Sequence, residues 1–238
     1  TQFHKSTLEV LNERIPITMF FSLSAFVISI PLGILFGVIS AVYRGRPADT
    51  MVTLIANITA CLPQFWIALL VMYIFAMKLG WLPSYGFTWF SQDLSMGIRQ
   101  TIMPLFCLAL GGIATTTRQT RSSMLEVVSS DYTKTARAKG LSDFRITVKH
   151  QIRNAITPII TIMGPTVASV LTGTFVIEAL FAIPGMGKHY VDSINMADYT
   201  LVLGMTIFYG AFLIVSILIV DILYGIVDPR IRLSGKKR

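Results

Sequence analysis

Apolar residues run through this chain in long blocks, not at the alternating spacing of a half-buried strand or the narrow stripe of a surface helix. Five stretches carry no Asp, Glu, Lys or Arg: Ile15–Tyr43, Met51–Met77, Thr101–Thr117, Asn154–Ile177 and Tyr199–Val220. They are 29, 27, 17, 24 and 22 residues long and make up half of the 238-residue chain. A helix rising about 1.5 Å per residue needs about 20 apolar residues to cross a hydrocarbon core of about 30 Å. Four stretches reach that length and the 17-residue one sits at the lower limit. Strands of a membrane barrel would alternate apolar and polar positions, whereas Phe212-Leu-Ile-Val-Ser-Ile-Leu-Ile-Val220 is apolar on every face. The pattern therefore predicts an all-α, polytopic membrane helical bundle with five spans. Composition agrees: 53% of residues are hydrophobic and 13% charged, against about a quarter charged in a soluble domain. A soluble globule and a disordered chain are both excluded.

Charge placement gives the orientation. The segments 44–50, 118–153 and 221–238 hold 15 Lys and Arg, and the alternate set 1–14, 78–100 and 178–198 holds 5. Positively charged loops stay in the cytoplasm. The N-terminal segment 1–14 is then external, and the basic tail 233–238, ending Gly235-Lys-Lys-Arg238, is cytoplasmic. An external start followed by five spans leads to the expectation of one more span before Thr1. The short basic tail reads as a topology signal with some attraction to anionic lipid. No interleaving of aromatic and basic residues points to nucleic acid.

The span interiors lack Asp, Glu, Lys, Arg and His, with Glu178 and Asp221 only at their edges. Ion-coupled carriers place ionisable groups at membrane depth to take up the driving ion, so the energy for pumping is expected from another chain. Gly33-Ile-Leu-Phe-Gly37 has the small-xxx-small spacing that lets helices approach closely, and it serves either packing or a hinge. Pro31, Pro63 and Pro158 are expected to kink helices. Asn57, Gln64 and Asn154 either line a polar route or bond their own backbone. Cys61 and Cys107 fall inside spans and read as small buried apolar residues.

The longest cytoplasmic segment, 118–153, is the most informative. It contains Ser129-Ser-Asp-Tyr-Thr-Lys-Thr-Ala-Arg-Ala-Lys-Gly140, then Leu141-Ser-Asp-Phe-Arg145. Ser130 or Asp131 can cap a helix start. Basic residues gather toward its end, and Gly140 can take the left-handed conformation that closes it. Ser142 can cap a second helix running through Lys149. The prediction is a helix of two to three turns, a tight corner and a second helix leading into the next span. A solvated basic loop that merely obeys the charge rule fits the same composition.

Asp131-Tyr-Thr-Lys-Thr-Ala-Arg-Ala-Lys-Gly-Leu-Ser142, continuing to His150-Gln-Ile-Arg-Asn-Ala-Ile-Thr-Pro158, resembles the EAA loop of ATP-binding cassette (ABC) importer permeases. More narrowly it is similar to the dipeptide, oligopeptide and nickel permease family. Leu62-Pro-Gln-Phe-Trp66, Leu79-Gly-Trp-Leu-Pro83, Phe181-Ala-Ile-Pro-Gly-Met-Gly187 with Asp198-Tyr199, and Asp228-Pro-Arg-Ile-Arg232 match that family in order. Lys134-Thr-Ala136 stands where the general pattern begins with Glu, and Arg153 where a first Pro would fall, as in the peptide and nickel branch.

The resemblance implies a type I importer permease fold, normally of six spans, with the permease domain at 15–232. It implies a coupling helix seated on a cytoplasmic ATPase, with Asp131, Tyr132, Thr135, Ala136, Arg137, Ala138, Lys139, Gly140 and Leu141 at or near the contact. Tyr132, Ala136, Ala138 and Gly140 are its expected core. It further implies a sister permease, two ATPase subunits and an extracytoplasmic binding protein facing the loop 178–198. The function implied is passage of di- or oligopeptides, or of nickel or metal-chelate cargo, through the bacterial inner membrane. The alternative from another class is a self-sufficient channel or secondary carrier.

No Gly-x-x-x-x-Gly-Lys-Ser/Thr loop occurs, since Gly187-Lys-His189 lacks the upstream glycine and the hydroxyl residue. ATP and magnesium are therefore expected on partner subunits, with no cofactor in this chain. His4, His150 and His189 are scattered over both faces, so no metal site is expected. No nucleophile–base arrangement stands out, and no enzymatic activity is assigned to the chain.

Overall fold

The computed structural model describes residues 6–156 and 174–227. The chain opens with α1, Thr7–Val42, whose start is fixed by a reciprocal capping box between Ser6 and Glu9. A turn through Gly45, at φ +76°, leads into α2, Pro47–Cys61. The helix then breaks at Leu62-Pro63, and α3, Gln64–Val71, continues in wider turns over Met72–Lys78. The two pieces bend by 105°. The single span expected over Met51–Met77 is thus a bent pair. Pro63 has no N–H to give the ladder and holds Leu62 extended, at ψ 134°.

After the loop 79–93 comes α4, Leu94–Val128, 35 residues long. It overruns the uncharged stretch 101–117 at both ends, and an arginine in each overrun finds an oxygen partner: Arg99 donates to the Trp81 carbonyl at 2.8 Å, and Arg121 pairs with Asp49. Then follow α5, Asp131–Ala138, and α6, Asp143–Ile146, which runs on through wider turns over Thr147–Ile152 and stays helical to 156. Helical residues 174–180 precede α7, Met186–Asn195, and α8, Tyr199–Val227. Among the described residues, α1, α4 and the 199–219 part of α8 are each long and apolar enough to span, and the α2–α3 pair makes a broken fourth. Most of the expected span Asn154–Ile177, with Pro158, lies outside the described residues, as do Asp228–Arg232 and the basic tail.

The bundle is organised around α1 and α4. A Cβ added at Gly33 would collide with Thr116, one at Gly37 with Thr120, and one at Gly112 with Ser29. The small-xxx-small spacing is therefore a packing notch, into which the threonines of α4 fit. At one end the core joins Ile17, Phe21, Ala68, Met103, Ile177 and Phe181. At the other, Ala41, Met124 and Ala155 bring together the ends of α1, α4 and α6. Outward-facing Leu203, Ile207, Ile214 and Leu218 leave α8 apolar where a membrane helix meets hydrocarbon. Cys107 is buried as expected, but Cys61 is exposed at the α2–α3 bend, where the departing chain leaves it uncovered.

Candidate functional site

The corner at Gly140, on the side that the charge pattern assigns to the cytoplasm, grows directly out of α4, with only Ser129 and Ser130 between α4 and α5. Ser130 occupies the cap position of α5 but does not cap it: its hydroxyl donates to the Val127 carbonyl at 2.6 Å, and the Thr133 hydroxyl donates to the same oxygen at 2.9 Å. The carbonyls at the end of α4 have no intrahelical partner, and these two hydroxyls supply one. The Asp131 carboxylate turns instead to Lys134, at 2.9 Å. The second expected cap, Ser142, likewise makes no side-chain bond at the start of α6.

Gly140 takes φ +75° and turns the chain, with Leu141 N–H donating back to the Ala136 carbonyl at 3.4 Å. Arg137 reaches across the corner to Asp143 at 3.3 Å. Both ions are exposed, so that pair orients more than it stabilises. Asp131, Tyr132, Thr135, Arg137, Ala138, Lys139 and Gly140 face outward and Leu141 is half-buried. Thr133 and Ala136 point into the chain and are buried. Ala136, one of the four residues expected at the core of a partner contact, thus packs on its own subunit. Beyond the corner, α6 carries an exposed apolar residue, Phe144, 79% exposed. Sequence reading passed over Phe144 because a phenylalanine in a basic loop looks like ordinary anchoring.

Behind the corner stands a buried ion pair that no local pattern announces. Asp49, at the start of α2, accepts from Arg121 Nε at 2.8 Å and from Nη2 at 3.0 Å, and from the Gly45 N–H at 3.0 Å. Ser40 of α1 donates to the same carboxylate. Three helices are pinned at one carboxylate, ten residues before α5 begins. Beside it opens a polar cavity of about 480 Å³ lined by Thr53, Asn57, Arg118, Arg121, Ser122 and Glu126. Asn57 thus lines a polar space, whereas Asn154 bonds its own helix at His150 (2.7 Å) and Gln64 donates to the Cys107 carbonyl at 3.3 Å.

The opposite end of the bundle carries a second buried carboxylate, Glu178, with no exposed surface. Oε1 accepts from the Thr18 hydroxyl of α1 at 2.7 Å and Oε2 from the Lys188 N–H at 3.1 Å. The Gly187 N–H and the Thr174 hydroxyl donate to it as well. Those amides open α7, whose N-terminal dipole end favours a negative group. Thr18 closes the circuit by accepting from Met186 N–H at 2.8 Å, and Arg14 donates to the Pro184 carbonyl at 3.2 Å. Glycine is required at 185 and 187, because a Cβ at Gly185 would overlap the Glu178 carboxylate and one at Gly187 would lie 2.6 Å from Phe175. Beyond α7, Asp198 accepts from Leu201 N–H at 3.2 Å and starts α8. His189, half-buried on α7, is held below its ordinary value of 6.5, first by burial and then by the Arg14 charge.

The chain matches the family described as binding-protein-dependent transport system inner membrane component over residues 33–233. It is 43% identical over 231 residues to the dipeptide transport system permease protein DppB of Bacillus subtilis (strain 168), covering 97% of this chain and 72% of that protein. It is 38% identical over 225 residues to the oligopeptide transport system permease protein AppB of the same organism, covering 94% and 71%. In fold it is similar to a chain of an amino acid ABC transporter, with a TM-score of 0.67, 16% identity and 94% of each chain covered. It is also similar to a chain of the MetNI methionine ABC transporter in an inward-facing conformation, with a TM-score of 0.66 over 93% of this chain and 94% of that one, again at 16% identity. With this helical bundle and these relatives, the chain belongs to the binding-protein-dependent transport system inner membrane component family, as a permease subunit of an ABC importer.

Proposed function

We propose that this permease subunit forms, with a sister permease, the pathway for di- or oligopeptides, and that α5 couples it to a cytoplasmic ATPase. The observation that carries the coupling is the mounting of α5: a two-turn helix with an exposed face, joined to α4 by Ser129 and Ser130 alone, tied to the Val127 carbonyl by two hydroxyls and closed at Gly140. A helix held in this way moves as a rigid body with whatever grips its exposed side. Displacement of α5 is passed into α4 and, through Arg121, Asp49 and Ser40, into α1 and α2. The ATPase contact is formed by Tyr132, Thr135, Ala138, Lys139 and Gly140, extended by Phe144. ATP and magnesium bind the two ATPase subunits. The C-terminus faces the cytoplasm, and the loop carrying α7 faces the extracytoplasmic binding protein. Peptide cargo is favoured over nickel or metal chelates by the names of the relatives. The polar cavity at Asn57 and Arg118 offers donors to a peptide leaving toward the cytoplasm.

The test is purification of this subunit from its native membrane in mild detergent, with identification of every chain that accompanies it. Recovery of P-loop ATPases and a second permease supports the reading. A homo-oligomer that persists under gentler extraction contradicts it and returns the self-sufficient channel or carrier. In the reconstituted importer, Gly140→Pro is expected to abolish ATP-driven peptide uptake while insertion is retained. Normal uptake by that variant would sink the role assigned to the corner.

A further inference from the structure

The segment 183–196, which contains α7, is bracketed by two non-glycine residues in the left-handed region, Ala182 at φ +51° and Ala197 at φ +53°. A Cβ is disfavoured there, and such residues persist where surrounding contacts over-determine them. The contacts in question converge on the first turn of α7. Glu178, from the helical residues before it, takes the Gly187 and Lys188 amides, while Thr18 of α1 takes the Met186 amide and gives its own proton to Glu178. The carboxylate is buried, and it remains buried only because every named donor is in place. At 2.7 Å the Thr18 bond is a well-formed hydroxyl-to-carboxyl hydrogen bond.

We infer that Glu178 is a latch: its carboxylate seats α7 on the outer end of α1, so that the external helix and the first span move together. Ala182 and Ala197 are the two strained joints about which α7 swings when the latch opens. Resting on the reading that α7 faces the binding protein, the latch gives that partner a mechanical route inward. The route runs from α7 through Glu178 and Thr18 to α1, then through the Gly33 and Gly37 notches to α4, which leads into α5. Glu178 is thus a positioning residue, acting through α7 and α1 with no contact to cargo. A glutamine of the same shape cannot replace it, since its amide –NH₂ presents donors where Thr18, Gly187 and Lys188 already donate.

The experiment uses the complete importer, with sister permease, ATPases and binding protein, in lipid nanodiscs, and reads amide hydrogen exchange by mass spectrometry. Glu178→Gln is expected to speed exchange at 186–189 by about tenfold, with α4 amides between 103 and 117 unchanged. Gly187→Ala pushes against Phe175 and Oε2 without altering charge and is expected to give the same local loss. Unchanged protection of α7 in both variants, or equal acceleration of α4, would overturn the latch. In the same preparation, the ratio of binding-protein-stimulated to unstimulated ATP turnover is expected to fall about threefold in Glu178→Gln, the share of stimulation that passes through α7. An unchanged ratio with a loosened α7 would overturn the inward route. Should no ATPase assemble with this subunit, the proposed function fails, and the exchange measurement on the purified subunit still decides the latch.

Discussion

At the end that the charge pattern assigns to the cytoplasm, the Asp49 carboxylate is gripped by a guanidinium from a helix 72 residues away in sequence. At the opposite end, assigned to the outside, Glu178 is gripped by backbone amides of the helix that follows it and by the hydroxyls of Thr18 and Thr174. Both carboxylates are buried and both tie three pieces of chain together. The difference lies in what loss of a partner leaves behind. Removal of Asp49 strands a partly buried cation, whereas neutralisation of Glu178 leaves uncharged amides at a helix start. A cation–carboxylate lock suits a junction that must stay shut through the cycle. An amide-held lock, with donors that water can replace, suits one that opens.

The largest effect should therefore fall on the cytoplasmic side. Asp49→Ala is expected to cost about 3 kcal/mol of stability, read as a lowered unfolding temperature in detergent. Asp49→Ala combined with Arg121→Leu should recover more than half of that loss, because the stranded charge is gone. Equal melting of single and double variants would contradict the ion-pair assignment. Glu178→Gln comes second, at about 1–2 kcal/mol. Its effect should appear in α7 exchange before it appears in global unfolding.

These two locks were not equally legible in the sequence. The Phe181-Ala-Ile-Pro-Gly-Met-Gly187 motif stands out, and its glycines answer to what presses on them: the Glu178 carboxylate at Gly185 and Phe175 at Gly187. Asp49 and Arg121 gave no signal, because each sits in a segment where a lone charge reads as topology. The hydropathy pattern marked the uncharged blocks but not their true ends: α4 runs well past Thr117, since a paired arginine can stay on a membrane helix. It also read Met51–Met77 as one span, although Pro63 was present to break it. The corner at Gly140 is legible from residue type, because a glycine after a basic helix end can take the left-handed turn that it takes here. The inward turn of Ala136 was not, because it depends on which face of α5 meets the end of α4.

Smaller effects refine the contrast. Gly140→Ala should cost about 1 kcal/mol through its positive φ alone, as a Cβ there meets nothing within 4 Å. Peptide uptake is expected to fall severalfold with unchanged insertion, which separates corner geometry from packing. The smallest effect concerns pH at the external end. His189 has its folded value below 6.5, so the folded state binds fewer protons than the unfolded one. Stability contributed by the neutral ring is present above about pH 6.5 and is lost as pH falls below it. Protection of the α7 amides, taken relative to their intrinsic exchange rate at each pH, should thus fall on acidification, and His189→Asn should flatten that dependence. A steeper profile in the variant would contradict the role given to the ring.

The coupling of α5 to an ATPase is tested most directly by cysteine cross-linking in the assembled importer, with Cys61 and Cys107 replaced. A cysteine at Thr135, on the exposed side of α5, is expected to cross-link to an ATPase chain, with a yield that changes when ATP is added; one at buried Ala136 should not. Absence of any ATPase adduct from position 135, or equal adducts from 135 and 136, would contradict it.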